Sequence, residues 1–186
     1  DVIFRYSKLL RLIDDTDASI VSNITTVKIR KSFKPTLNQS TRYDIYFRNA
    51  LYNPVDGYNS VAGGILQSTG FKISGDSTNI YFLDDDGEGN VRRYRFSGGV
   101  RSYATTFQGS IDYATGEIIL NSLNVTTIQD IRGEASTSIE LIVKPNSNDI
   151  VPVRDQIIEI DVENSIVVVE IDDFAGGGAD AGVGYT

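Results

Sequence analysis

Residues 81–96 read Tyr81-Phe-Leu-Asp-Asp-Asp-Gly-Glu-Gly-Asn-Val-Arg-Arg-Tyr-Arg-Phe96, and residues 109–120 read Gly109-Ser-Ile-Asp-Tyr-Ala-Thr-Gly-Glu-Ile-Ile-Leu120. Each stretch holds an alternating apolar run, a glycine-bearing turn and a second alternating run, which predicts a β-hairpin. In the second stretch, Gly116 is the residue expected in the left-handed conformation of a three-residue connection. The chain is therefore predicted to form a stack of hairpins from Gly63 to Leu120.

A segment with apolar residues at helical spacing precedes these hairpins. In residues 2–13, Tyr6, Leu9, Leu10 and Ile13 recur on one side of a predicted helix. The acidic break that follows contains Thr16 and Asp17, either of which is expected to cap a short second helix running through Val21. This interpretation of the Asp cluster as helix capping is preferred to a metal site.

Strand patterns flank the hairpin stack on both sides. Thr25–Phe33 predicts a first strand, with Tyr43–Arg48 as its hairpin partner, and residues 62–73 predict two short strands with a bend between them. After the stack, Ser138–Val143 predicts a further strand. A C-terminal strand pair is predicted at 156–162 and 166–171, although the first of these segments also suits a helix with Pro152 in its first turn.

The predicted fold class is α+β and β-dominated. It has N-terminal helices plus antiparallel strands, an inserted hairpin-rich β lobe and a C-terminal strand pair. The expected domain organisation is an N-terminal helix and strand portion at 1–54, the β lobe at 55–125, C-terminal strands that complete the first portion at 126–174, and a flexible Gly/Ala-rich tail at 175–186.

The composition removes most catalytic machinery from consideration. The 186 residues include no His, Cys, Met or Trp. The chain therefore has no disulfide, no thiolate metal site, no cysteine nucleophile and no Ser–His pair. The Gly-rich segments also lack the Lys-Ser/Thr of a phosphate-binding loop. We predict that the chain is not an enzyme and has no cofactor.

Charge is divided unevenly along the chain. Residues 1–50 hold nine Lys/Arg against five Asp/Glu, whereas residues 111–186 hold three against fourteen. A concentrated basic face, which nucleic acid binding requires, is not expected, and no apolar run is long enough to span a membrane. The alternatives left open are a solvated acidic surface and an attraction between the basic end of one copy and the acidic end of another.

The acidic turn of the first hairpin is the weak candidate for a metal site. Asp84, Asp86 and Glu88, followed by Gly89, imitate the first half of a calcium-binding loop. The twelfth position of such a loop is Arg95, a cation where a bidentate carboxylate is needed. An acidic turn between two strands therefore explains the segment without an ion.

Several of these segments, taken in order, resemble the C-terminal region of the large baseplate wedge subunit of T-even-like contractile-tailed bacteriophages, a family related to the baseplate-J group. The resemblance covers roughly residues 14–172. It is carried by Asp14-Asp15-Thr16-Asp17, Ile20-Val-Ser-Asn-Ile-Thr-Thr-Val-Lys-Ile-Arg-Lys31, Gly63-Gly64 with Ser68-Thr-Gly-Phe71, Phe82-Leu-Asp-Asp-Asp-Gly87, Ile111-Asp-Tyr-Ala-Thr-Gly116, and Lys144-Pro-Asn-Ser-Asn-Asp149 with Pro152-Val-Arg154.

The resemblance implies a structural virion protein without catalytic residues. It would be made in the host cytoplasm and located in the tail baseplate, where it would act as a homodimer or ring of copies that contacts other wedge proteins. The start at Asp1 is then expected to mark a piece of a longer subunit. The self-assembly interface is not predicted. The alternative is a carbohydrate-binding or calcium-stabilised adhesin-type module, which predicts exposed aromatic side chains such as Tyr94 or Tyr103 beside the acidic loop.

Overall fold

The computed structural model describes residues 3–55, 64–151 and 159–170. The chain divides into two compact units, residues 1–156 and 157–186. The first unit is α+β and β-dominated, with antiparallel sheets. Its elements are α1 (Tyr6–Asp14), β1 (Ile29–Phe33), β2 (Ser40–Tyr46), β3 (Gln67–Ser68), β4 (Phe71–Ile73), β5 (Asp76–Asp85), β6 (Asn90–Ser97), β7 (Val100–Asp112), β8 (Glu117–Gln129), β9 (Ala135–Ser136) and β10 (Ile139–Val143).

The N-terminal helix α1 has the amphipathic pattern that the sequence predicts. Its half-buried positions are Tyr6, Leu9, Leu10 and Ile13. The predicted second helix through Val21 is wrong. Asp17 forms a local turn with Ser19 and Ile20 instead of capping a helix. Its carboxylate accepts the Ser19 N–H and its carbonyl accepts the Ile20 N–H, a local pairing that competes with a helix. No helix in the described ranges is long and apolar enough to cross a membrane.

A small antiparallel sheet has the order β1-β10-β3. It pairs the first strand of the first unit with its last strand. Ile29 lies opposite Val143 and Phe33 opposite Ile139. The prediction that the first strand pairs with the strand at 43–48 is wrong, because β2 pairs with β8. This pairing places Ile45 opposite Ile118 in the core, and the burial of apolar side chains selects the partner strand over proximity in the sequence.

The larger sheet has the order β2-β8-β4-β5-β6-β7, with β9 also on β8. Strand β8 is long enough to pair with both β4 and β7, so the strand pairings from β4 to β8 form a closed circuit. Both predicted hairpins are confirmed, as β5–β6 and β7–β8. Gly116 has a φ of 72°, the left-handed value that its turn requires. The two predicted short strands with a bend are β3 and β4, and β10 is the predicted strand at 138–143.

One apolar core serves both sheets of the first unit. Its fully buried members are Leu66, Phe71, Leu83, Val91, Ile118, Leu120, Leu123, Val125, Ile139, Leu141 and Val143. Strand pairs cross the expected boundaries at 54 and 125, since β2 pairs with β8 and β3 with β10. The described residues of the expected portions 1–54, 55–125 and 126–174 therefore all contribute to one core.

The predicted C-terminal strand pair is absent from residues 159–170, which contain a 3₁₀ turn at Val162–Asn164 and no strand. Asp161 closes this turn by accepting hydrogen bonds from Asn164 and Ser165. The other predicted strand positions, 156–158 and 171, and the tail at 175–186 lie outside the described residues.

Candidate interaction surface

One face of the β5–β6–β7 sheet combines aromatic and cationic side chains. Phe82 lies opposite Tyr94, Asp84 opposite Arg92, and Phe96 opposite Arg101 in the strand register. Because side chains alternate along a strand, these residues project from one side, while Leu83 and Val91 project into the core. We call this surface the aromatic–arginine face; its members are Phe82, Asp84, Arg92, Tyr94, Phe96, Arg101 and Tyr103.

Asp84 is the buried anion at the centre of this face, with 1% of its side chain exposed. Arg92 Nε donates to its Oδ1 at 2.9 Å, and Arg101 Nη1 donates to its Oδ2 at 2.7 Å. The Tyr103 hydroxyl also donates to Oδ2, at 2.8 Å. Two guanidinium groups and a phenol therefore satisfy a carboxylate that would otherwise be costly to bury.

Opposing effects act on the proton affinity of Asp84. Burial raises the pKa of the Asp84 carboxyl above its usual value, and the hydrogen bonds from Arg92 and Tyr103 oppose that rise.

Arg92 also donates from Nη2 to the Asp85 carbonyl oxygen at 2.6 Å, so its guanidinium is fixed to both the Asp84 side chain and the backbone of β5. The network ties three neighbouring strands together.

The aromatic rings form a packed layer over this network. The rings of Tyr94 and Phe96 meet edge to face at 5.6 Å, and Phe82 lies 5.7 Å from each of them. The guanidinium of Arg101 lies 4.5 Å from the centre of the Tyr94 ring, and that of Arg92 lies 4.5 Å from the centre of the Tyr103 ring. Such cation–π and edge-to-face contacts favour fixed side-chain orientations.

Large apolar side chains stay exposed on the β6–β7 hairpin. Phe96 is 54% exposed, Phe107 61% and Val100 70%, and Tyr103 on the same hairpin is 39% exposed. Apolar side chains concentrated on one surface element are typical of a docking surface. Tyr94, by contrast, is buried beneath Arg101.

Asp85 is directed to the opposite side of β5 and is fully buried. Its Oδ1 accepts the Leu66 N–H at 2.8 Å, and its Oδ2 accepts the Tyr113 hydroxyl at 2.6 Å. Burial raises the pKa of the Tyr113 phenol, and the hydrogen bond to Asp85 raises it further. Gly64 approaches so closely that a Cβ there would collide with the Asp85 carboxylate. Asp85 therefore fixes the chain before β3 to the end of β5.

The structure separates the three candidate calcium ligands. Asp84 faces Arg92 and Arg101, while Glu88 is exposed at the tip of the turn. Asp86 accepts the backbone N–H groups of Glu88 and Asn90 and so closes the turn itself. In the part of the chain that the structure describes, no three Asp, Glu, His or Cys side chains are grouped to hold a metal ion.

Sequence reasoning missed the partners of Asp84. It named Tyr94 and Tyr103 as aromatic side chains beside the acidic loop but assigned no role to Arg92 or Arg101. The signal for Arg92 was present, because counting back from the turn at 86–89 puts it opposite Asp84, and opposite charges stabilise cross-strand pairs. Arg101 could not be found in this way, because its register partner across the β6–β7 turn is Phe96, and it reaches Asp84 on β5 only through its long side chain.

Comparison with known proteins finds no matching family model, no matching curated protein and no matching solved structure.

Proposed function

We propose that this chain is a structural part of a phage tail baseplate, contributing to a wedge subunit that acts through self-association and contacts with other wedge proteins. In this proposal the chain is not catalytic, and it is made in the host cytoplasm and located in the virion as a homodimer or a ring of copies. The observation that carries the proposal is the set of apolar side chains exposed on the β6–β7 hairpin. The resemblance to baseplate wedge subunits supplies the biological setting.

Exposed apolar area on this hairpin favours a protein partner. Burying one large apolar side chain completely contributes about 1.5–3 kcal/mol, and Phe96, Val100 and Phe107 are each more than half exposed. Val100 lies opposite Ser97 and so projects from the other side of the hairpin than Phe96. A partner that covers Phe96 and Phe107 would gain a substantial part of a binding free energy from them. This is what an assembly subunit needs from its surface.

The network around Asp84 prepares this surface for binding. Its ion pairs with Arg92 and Arg101 hold β5, β6 and β7 in register before any partner arrives. A surface that is already ordered loses little conformational entropy on association, so more of the contact energy appears as affinity.

Sedimentation velocity in low salt tests the proposed self-association. We expect the wild-type chain to associate as its concentration rises, and the variant Phe96→Ser/Phe107→Ser to associate more weakly. Leu12→Ser is the matched control, because Leu12 is 68% exposed on α1 and lies outside the hairpin. A wild-type chain that stays strictly monomeric at high concentration would count against the proposal.

The genomic setting tests the virion assignment independently. We expect the open reading frames beside this one to encode a tail sheath, a tail tube and other wedge proteins. Neighbouring genes of a secretion or adhesion system would contradict the baseplate assignment, even if the chain associated with itself.

A carbohydrate-binding module is the second candidate, favoured by one observation. Tyr103 offers a partly exposed ring beside the charged groups of Arg92 and Asp84, a mixture of aromatic and polar groups that suits sugar recognition. A glycan-binding screen of the wild type and Tyr103→Ala tests this candidate. The calcium-stabilised version predicts a Tm that rises with added Ca²⁺. We expect no rise, because Asp84 is already neutralised by arginine.

A further inference from the structure

Two cationic side chains lie close together where β1 approaches the end of β2. Lys31 follows the alternation of β1, so its side chain projects on the same side as Ile29 and Phe33, which pack against the core. Its ammonium donates to the Tyr46 carbonyl oxygen at 2.7 Å, and Arg48 follows Tyr46 by two residues. A lysine on the inner side of β1 is therefore held beside an arginine that follows β2.

The positive charges of these two side chains repel each other. Burial lowers the pKa of the Lys31 ammonium, and the charge of Arg48 lowers it further. Within the described residues, neither side chain forms an ion pair with a carboxylate. Like charges placed together disfavour their own charged forms, so this pair is stabilised by any anion that lies between them.

The carboxylates on neighbouring strand positions are engaged elsewhere. Asp44 on β2 accepts a hydrogen bond from Arg42 Nε at 2.9 Å. Glu117 lies opposite Tyr46 in the strand register and interacts with the Tyr46 phenol. Neither carboxylate neutralises the two cations.

Arg48 combines a strained backbone with unused hydrogen-bond donors. Its φ is 56°, in the left-handed region that residues with a Cβ rarely adopt. Backbone strain of this kind is concentrated at binding sites. A guanidinium has five N–H groups and an ammonium three. Within the described residues the Arg48 side chain makes no hydrogen bond, and Lys31 makes one.

We propose that Lys31 and Arg48 form a binding site for an oxyanion, the chemistry that a phosphate group and a carboxylate share. An oxyanion between the ammonium and the guanidinium would relieve their repulsion and accept the unused N–H groups. Hydrogen bonds between charged partners of this kind are the strong ones. Inorganic phosphate presents this chemistry in a simple form and is the probe for the site.

An amide NMR titration with inorganic phosphate, at constant ionic strength with chloride as the reference, gives the first test. We expect saturable shifts of the amides around Lys31 and Arg48. Arg48→Asn should raise the phosphate Kd at least about tenfold, because it removes charged donors while Asn tolerates the left-handed φ. Lys34→Gln is the matched control. It removes one exposed positive charge just after β1 and should keep the wild-type Kd.

Thermal unfolding gives a readout that a purely structural arginine would not produce. In phosphate-free buffer, Arg48→Asn should have the same Tm as the wild type or a higher one, because the repulsion of Lys31 is removed. Saturating phosphate should raise the Tm of the wild type by mass action and leave that of the variant unchanged. An arginine that only supports the fold would lower the Tm in both buffers when it is replaced, and that result would contradict the proposal.

Acetate distinguishes the sources of the oxyanion. Binding of acetate as well as phosphate would assign the site to carboxylates too, including those of a partner chain, whereas binding of phosphate alone would assign it to phosphate groups. Phosphate shifts that are absent from the wild type, or that persist in Arg48→Asn with an unchanged Kd, would overturn the proposal. Because the titration does not require an oligomer, its failure would leave the proposed self-association standing.

Discussion

At the scale of the residue, Asp84 should contribute more to stability than any surface carboxylate. In Asp84→Asn the guanidinium groups of Arg92 and Arg101 lose a charged partner that is 1% exposed. Breaking a buried ion pair from one side costs about 3–5 kcal/mol, and the retained amide oxygen places this variant near the lower end. Urea unfolding of the wild type and the variant measures the difference in the free energy of unfolding.

Asp44→Asn is the matched control for this prediction. Its ion pair with Arg42 has a similar distance, 2.9 Å, but the two side chains are 60% and 40% exposed. Exposed pairs contribute about 0–1 kcal/mol because water and salt screen them. Equal losses of unfolding free energy in the two variants would show that burial does not strengthen the ion pairs of Asp84.

A second residue-scale prediction concerns acid. The hydroxyl of Thr115 and the N–H of Ala114 donate to Asp112 and hold the pKa of its carboxyl below the usual value of 3.8. Because the unfolded chain takes up this proton at a higher pH than the fold does, the stabilisation is present above the usual value and is lost as pH falls through the folded pKa. We expect the Tm of Asp112→Asn to fall less on acidification below pH 3.8 than that of the wild type. Parallel acid profiles for the two proteins would contradict this.

At the scale of the element, the junction of β7 and β8 depends on a close approach of two backbones. Gly109 lies opposite Leu120, and a Cβ on Gly109 would collide with the Ile119 carbonyl oxygen. Gly109→Ala must push the strands apart, so we expect a loss of about 1–3 kcal/mol in the free energy of unfolding. Gly98→Asn is the control, since Gly98 has open space around it and a left-handed φ of 59° that Asn tolerates.

The same elements show which parts of the fold can be predicted from sequence. The β5–β6 and β7–β8 hairpins were predictable because each turn and both strands lie within one short stretch, and Gly116 fixes the connection. The pairing of β1 with β10 was not predictable, because over a hundred residues separate Ile29 from Val143 and no turn encodes the register. The candidate surface was partly predictable. The acidic turn and the aromatic residues Tyr94 and Tyr103 could be named from the sequence, but Arg101 could not, because it reaches Asp84 across the intervening strand β6 rather than from an opposing strand position.

The C-terminal strand prediction illustrates a further physical limit. The β-branched residues at 166–169 have the propensity for a strand, but a strand also needs a neighbouring ladder and a surface to cover. Residues 159–170 form no ladder within the described residues. The β-propensity of these residues therefore indicates that the segment can form a strand. It does not indicate which strand would pair with it.

At the scale of the whole molecule, the proposed self-association through the β6–β7 hairpin is apolar in character. Phe96 and Phe107 are each more than half exposed there, and neither carries a charge. Apolar burial is insensitive to moderate salt, whereas attraction between exposed charges weakens as the Debye length shrinks from about 30 Å at 0.01 M salt to about 10 Å at 0.1 M. Salt therefore distinguishes an apolar contact from a charged one.

This difference gives a prediction for the salt dependence of self-association. We expect the wild-type Kd to change little over a salt series, because apolar area on the hairpin carries the contact. Phe96→Ser should raise the Kd at every salt concentration and leave the slope unchanged, because its side chain contributes apolar area and no charge. Sedimentation equilibrium over a salt series measures both quantities, and a wild-type Kd that rises steeply with salt would show that charged groups, rather than the apolar side chains of the hairpin, hold the copies together.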